Sequence, residues 1–170
     1  MKAALVVLAA VGVLATAVSA GARLAAPALK RVPPAAPAGQ FVYYGHIQSV
    51  VRRGDHYEVR FDPAWLLEGA TAERAAVADG VLPPGQPVPN DNYTRDESHR
   101  LLVFLAPPTV RGTLLTKGLG AVTVPIGELA QVVRGRNPKH RPLFAPGNES
   151  GFWLRVAVDT VKSFDQQYHP

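Results

Sequence analysis

Phe41–Phe61, FVYYGHIQSVVRRGDHYEVRF, reads as two strands joined by a tight turn. Its first half is dense in aromatic and β-branched residues, which suit a pleated, half-buried surface. Gly54-Asp55 supplies the turn, and beyond it Tyr57, Val59 and Phe61 alternate with His56, Glu58 and Arg60. A period of two puts the first set on one face and the second on the other, so the hairpin has one dry and one wet side. In the first strand Tyr43, Ile47 and Val51 share a parity, and His46 and His56 are expected to face each other across the pair.

Working outward, Asp62-Pro63 stops the second strand and Trp65, Leu66 and Leu67 form a compact apolar plug. Thr71 is the expected N-cap of a short helix through Ala78, with Glu73 in its first turn and Gly80 as its stop. Prolines 83, 84, 87 and 89 exclude a helix or a central strand there. Further strands are expected at 100–105, 110–116, 121–124, 152–158 and 161–165. A second helix opens at Pro125, repeats Ile126, Leu129, Val132 and Val133 at helical spacing, and ends at Gly135. The fold class is mainly β (α+β), a small antiparallel β-barrel or half-open barrel with two short helices, because strands follow strands without alternating helices.

Upstream, residues 3–22 carry no charge and follow Lys2, and small-residue cleavage patterns end at Ala17, Ala20 and Ala22. Residues 1–20 are therefore expected to be a signal peptide, a basic start followed by an apolar stretch. The alternative is an N-terminal anchor, since a spanning helix needs roughly 20 apolar residues. Arg23, Lys30 and Arg31 would then lie on the outer side, against the usual charge bias. Residues 21–40, with prolines 27, 33, 34 and 37, form an Ala/Pro-rich linker, and 41–170 a single β-rich domain. The expected location is secreted or extracytoplasmic, with a membrane reached only through an uncleaved 3–22 segment.

The formal charge of +5 belongs mostly to the leader and linker. Four of the 18 basic residues precede residue 41 and all 13 acidic residues follow it, leaving the domain 14 against 13, a net charge of about +1. No nucleic-acid partner is expected from such a balance. The basic run Arg134–Arg141 is read as a solvated loop, since no aromatic residues interleave with its charges. With no cysteine, thiol chemistry, lipidation and Cys-ligated zinc are excluded. The five histidines lack metalloprotease spacing, no Gly-x-Ser-x-Gly elbow occurs, and Gly118-Leu119-Gly120 is a turn rather than a phosphate loop.

The chemistry-bearing stretch is VLPPGQPVPNDNYTRDESHRLLVFL, residues 81–105. Its candidate ligand-binding residues are Asn90, Asp91, Tyr93, Arg95, Asp96 and Glu97, and Asn92 adds a further side-chain oxygen to the cluster. Crowded oxygen ligands suit Ca²⁺, but the EF-hand pattern fails, with Arg95 where Gly is required and Leu101 where Glu is required. Neither a cofactor nor a metal site is expected: Asx-turns with pairing to Arg95 and Arg100 are the favoured account of this composition, with Ca²⁺ the lesser alternative.

Phe61-Asp62 before Trp65-Leu66, Thr71-Ala72-Glu73 with Ala78-Asp79-Gly80, and Val88-Pro89-Asn90-Asp91 with Tyr93 recur as one set with Phe152-Trp153-Leu154-Arg155, Val161 and the end Gln167-Tyr168-His169-Pro170. The set resembles a group of small exported bacterial proteins of uncharacterised function, over most of residues 41–170. The resemblance implies one compact exported domain and no catalytic residue. The expected function is an exported non-enzymatic module binding a ligand or an envelope or extracellular partner. Two alternatives stand beside it: a small cell-envelope hydrolase using Asp96 or Glu97 with His99, and an oligonucleotide-binding-like barrel.

Overall fold

The computed structural model describes residues 36–96, 100–144, 147 and 150–168. In chain order the elements are β1 (Phe41–Arg53), β2 (His56–Pro63), β3 (Trp65–Glu68), α1 (Gly69–Ala78), a 3₁₀ turn (Pro89–Asp91), β4 (Asn92–Arg95), β5 (Leu102–Ala106), β6 (Arg111–Leu115), β7 (Ala121–Pro125), α2 (Ile126–Val132), β8 (Gly151–Ala157) and β9 (Thr160–Gln166).

Five strands close a barrel. β5 bonds to β2, β2 to β1, β1 to β8 and β8 to β9, and β9 returns to β5. The closing contact is parallel, Leu105 opposite Thr160, with the Leu105 amide donating to the Asp159 carbonyl at 2.9 Å. β8 lies beside β1 after a long connection, which makes β8-β1-β2-β5 a Greek key. β9 also pairs in parallel with β6, from which β7 hangs as an antiparallel edge.

Strand β1 belongs to both halves of the barrel, pairing with β8 through residues 41–46 and with β2 through 45–53. Its register with β2 slips between Ile47 and Ser49, a bulge that turns Ile47 and Val50 inward. The parity that sequence alone suggests, with Ile47 and Val51 together, fails at that extra residue. The same register sets His46 opposite Asp62 and His56 opposite Arg53, so the two histidines do not face each other. Gly45 permits the close approach of β1 to β2: a Cβ there would collide with the Asp62 carbonyl oxygen. Gly112 does the same for β6 against Phe164.

The interior is filled by Phe61, Phe152, Phe164, Ile47, Leu154, Val50, Val59 and Val156, all fully buried. Each such side chain contributes about 1.5–3 kcal/mol relative to exposure. The apolar spacing of α2 lets it pack on this core through Ile126, Leu129 and Val132, and the Ile126 amide is held by the Val110 carbonyl at 2.9 Å. The chain end is built in through glutamines. Gln166 accepts from the Leu115 amide and donates to Ser150 Oγ, both at 2.8 Å, while Gln167 accepts from Trp153 Nε1 at 2.7 Å.

The seven expected strands are present, and two more, β3 and β4, lie where sequence alone suggested a plug and a loop. α1 starts at Gly69 with Glu68 in the cap position, so Thr71 lies within the helix instead of capping it. Among the described residues no helix is long and apolar enough to cross a membrane. Residues 1–35, which include the expected leader and most of the expected linker, lie outside those described.

Candidate functional site

Between β2 and β5 the barrel hairpin is interrupted by a lobe made of β3, α1, the 3₁₀ turn and β4. β3 and β4 form an antiparallel ribbon with Trp65 opposite Arg95 and Leu67 opposite Tyr93. The lobe has its own small core, in which Ala72, Ala76 and Val88 are buried against Leu67, Leu82 and Tyr93. Alanines four apart lie on one helix face. Their small side chains let the ribbon approach closely.

Asp79 at the C-terminal end of α1 holds this lobe together. Its Oδ2 accepts from the Tyr93 hydroxyl at 3.0 Å, and its Oδ1 pairs with the Arg95 guanidinium at 2.8 Å. A carboxylate at a helix C-terminus opposes the helix dipole, and these two donors offset that cost. Burial raises the Tyr93 pKa, and the Asp79 hydrogen bond and charge raise it further, against the opposing effect of Arg95. The hydroxyl therefore remains a donor. Where the chain leaves the barrel for the lobe, the Ala64 amide donates to the Tyr44 carbonyl of β1 at 2.9 Å, and the Thr94 side chain acts on the Tyr44 hydroxyl to lower its pKa. Burial nevertheless keeps the Tyr44 pKa above its ordinary value.

The expected site residues separate into two places. Val88 is buried, Pro89 opens the 3₁₀ turn, and Asn90 and Asp91 both have left-handed backbone, with φ of 56° and 58°. Asn and Asp are the non-glycine residues that accept this conformation most readily. The Asn92 side chain then donates to the Asn90 carbonyl at 3.0 Å, so the Val-Pro-Asn-Asp stretch builds a turn. Tyr93 and Arg95 come together on Asp79, which the sequence reading placed in no site. Asp96 follows β4 on the surface, and Glu97 and His99 lie outside the described residues. Among the described residues no three His, Asp or Glu side chains gather in a way that would hold a metal ion.

Arg95 also borders a groove between the ribbon and α1. Trp65, Leu67, Thr71, Arg74, Ala75, Ala78 and Arg95 line an open hollow of about 440 Å³. That falls within the usual range for small-molecule sites. Trp65 is 61% exposed although it sits on a strand. Arg74 points from the exposed side of α1 and has no hydrogen-bond or ion-pair partner among the described residues. A second hollow of about 350 Å³, bordered by Glu73, Val77, Pro84, Gly85 and Gln86, shares Arg74 and Ala78 with the first. Sequence reasoning missed Trp65 and Arg74. Trp65 had a detectable signal, a large aromatic directly after a strand stop, but it looked like core.

The basic loop after α2 is occupied differently from a solvated run. Arg141 Nε lies 2.7 Å and Lys139 Nζ 2.8 Å from the carboxylate of Glu128, which is 6% exposed. Burial works to raise the Glu128 pKa, but the two cations together hold it below the ordinary carboxylate value. Asn137 and Arg141 brace the loop by reciprocal bonds of 2.6 and 3.0 Å, and Arg134 reaches the Val50 carbonyl. Lys139 and Arg141 thus fasten the loop to α2, and Arg134 ties it to β1 of the barrel. On the barrel surface Val103 and Leu105 of β5 stand exposed opposite Arg60 and Glu58, without an aromatic side chain between them. No family model matches this chain, and neither a curated protein nor a solved structure matches it.

Proposed function

We propose that the protein is an exported, non-enzymatic ligand-binding module whose site is the groove between α1 and the β3–β4 ribbon. One observation carries the reading: an exposed tryptophan and an arginine with no partner among the described residues border the same hollow. Folding gains nothing from an indole left largely in water, whereas a ligand with an apolar face would cover it. The barrel supplies the frame, and the Asp79 clamp fixes Arg95 at the groove's edge.

The oligonucleotide-binding alternative has the five-strand Greek-key ring in its favour, an architecture that carries both oligonucleotide and oligosaccharide binders. That is an analogy of fold alone. The β2–β5 face offers Val103 and Leu105 where base stacking needs aromatics, and Arg60 there is paired with Glu58 at 3.1 Å. The hydrolase alternative rests on Glu97 and His99, outside the described residues, and on the surface residue Asp96.

Thermal melts of the full chain with EDTA, Ca²⁺, cell-wall fragments and short oligonucleotides test the reading. A ligand at about a hundred times its Kd adds roughly 2.7 kcal/mol of stability. We expect a shift of several degrees with one class, removed by Trp65→Ala; a shift that survives Trp65→Ala, or none with any class, would overturn the groove as the site.

A further inference from the structure

The two hollows meet at Arg74, which borders both together with Ala78. Lying side by side with Arg74 and Ala78 between them, they give a ligand a track over the surface of α1, with Trp65 at one end and Pro84, Gly85 and Gln86 at the other. Resting on the groove as the binding site, we infer that its ligand is a carboxylated glycan strand, with one sugar ring on Trp65, its carboxylate on Arg74, and the next unit over Pro84–Gln86.

Three features select this chemistry. The exposed indole presents a flat apolar face to the C–H face of a pyranose ring. Arg74 is a planar fork that matches a carboxylate in two parallel hydrogen bonds, and no acidic side chain already occupies it among the described residues. The second hollow adds Glu73 and Gln86, which pair with sugar hydroxyls, and Gly85 keeps the path open there. A nucleic-acid strand fits less well. It would need successive aromatic platforms and several phosphate-binding cations, and the track offers one tryptophan, Arg74, and an Arg95 already paired with Asp79.

The test is a tryptophan-fluorescence titration of the full chain with trigalacturonate. Its methyl ester, monomeric galacturonate and a deoxythymidine oligomer serve as comparisons, and Trp65→Phe isolates the signal from Trp153. The triacid is expected to saturate a single site. Binding should weaken about 10- to 100-fold with the neutral ester and with Arg74→Ala, the effect of losing one charge-assisted pair. The monomer, filling one hollow, should bind at least about tenfold more weakly than the trimer. Equal binding of acid and ester overturns carboxylate recognition, and equal binding of monomer and trimer overturns the two-hollow track. An oligomer of deoxythymidine that perturbs Trp65 when the triacid does not overturns the ligand class while leaving the groove as the site. No Trp65 response to any probe overturns this inference, whereas failure of the groove itself would show as a ligand-induced thermal shift insensitive to Trp65→Ala.

Discussion

In the barrel, Phe61, Phe152 and Phe164 are sealed among large aliphatic side chains; in the lobe, the buried residues are Ala72, Ala76 and Val88. The first region is held by apolar area, and the second by a thin core plus polar fastenings at Asp79 and between Ala64 and Tyr44. Apolar burial is proportional to area, so the lobe has much less to lose on opening. The exposed Trp65 and Arg74, which has no partner among the described residues, lie on that less secured region. Binding surfaces belong where local opening costs least, and a stiff frame keeps their position.

The contrast is tested most severely by Phe164→Ala. Removing this ring from the barrel centre is expected to cost about 3–5 kcal/mol, read as a lower denaturant midpoint for the whole molecule. A loss confined to one segment would mean the barrel is not a single cooperative unit. Glu128 comes next. Its folded pKa lies below the unfolded value, so its contribution is present above the ordinary carboxylate pKa of about 4.3 and is lost as pH falls through the folded value. Urea melts from pH 7 downward should show this loss in wild type. Glu128→Gln should lower stability at pH 7 by about 1–3 kcal/mol and flatten that part of the pH profile.

Asp79→Ala is expected to cost about 1–2 kcal/mol, since Asp79 and Arg95 are partly open to water. Its signature is local: faster proteolysis between residues 79 and 96 with little change in the barrel's midpoint. An equal drop in both would erase the distinction between the regions. Trp65→Ala should change stability by less than about 0.5 kcal/mol, because the side chain is mostly exposed, while removing ligand binding. A large loss of stability would show that the indole is part of the lobe's core.

The barrel was legible in the sequence because its strands alternate cleanly, as at Tyr57, Val59 and Phe61, or sit between strong breakers such as Pro107-Pro108 and Gly118. Its closure through a parallel pair was not, since Leu105 opposite Thr160 joins segments far apart in the chain with no local mark. The bulge after Ile47 was hidden for a related reason: it is set by the fit to β2, and the residues of β1 look equally good in either register. β3 and β4 were missed because four-residue strands such as Asn92–Arg95 have too few residues to show a period. The candidate site was half legible. Tyr93 and Arg95 stood out as chemistry in a polar loop, whereas their partner Asp79 lay at the end of a helix fourteen residues or more before them. Trp65 and Arg74 become a site only when the ribbon folds across α1.

Native-state hydrogen exchange on the full chain tests the division between frame and lobe most directly. The account predicts that ladder amides of β1, β2, β8 and β9 exchange only through global unfolding, at the free energy measured by denaturant. Those of the β3–β4 ribbon should exchange through a smaller local opening that Asp79→Ala lowers further. If ribbon and barrel amides exchange at one common free energy that Asp79→Ala shifts equally, the molecule is a single cooperative unit and the account is wrong.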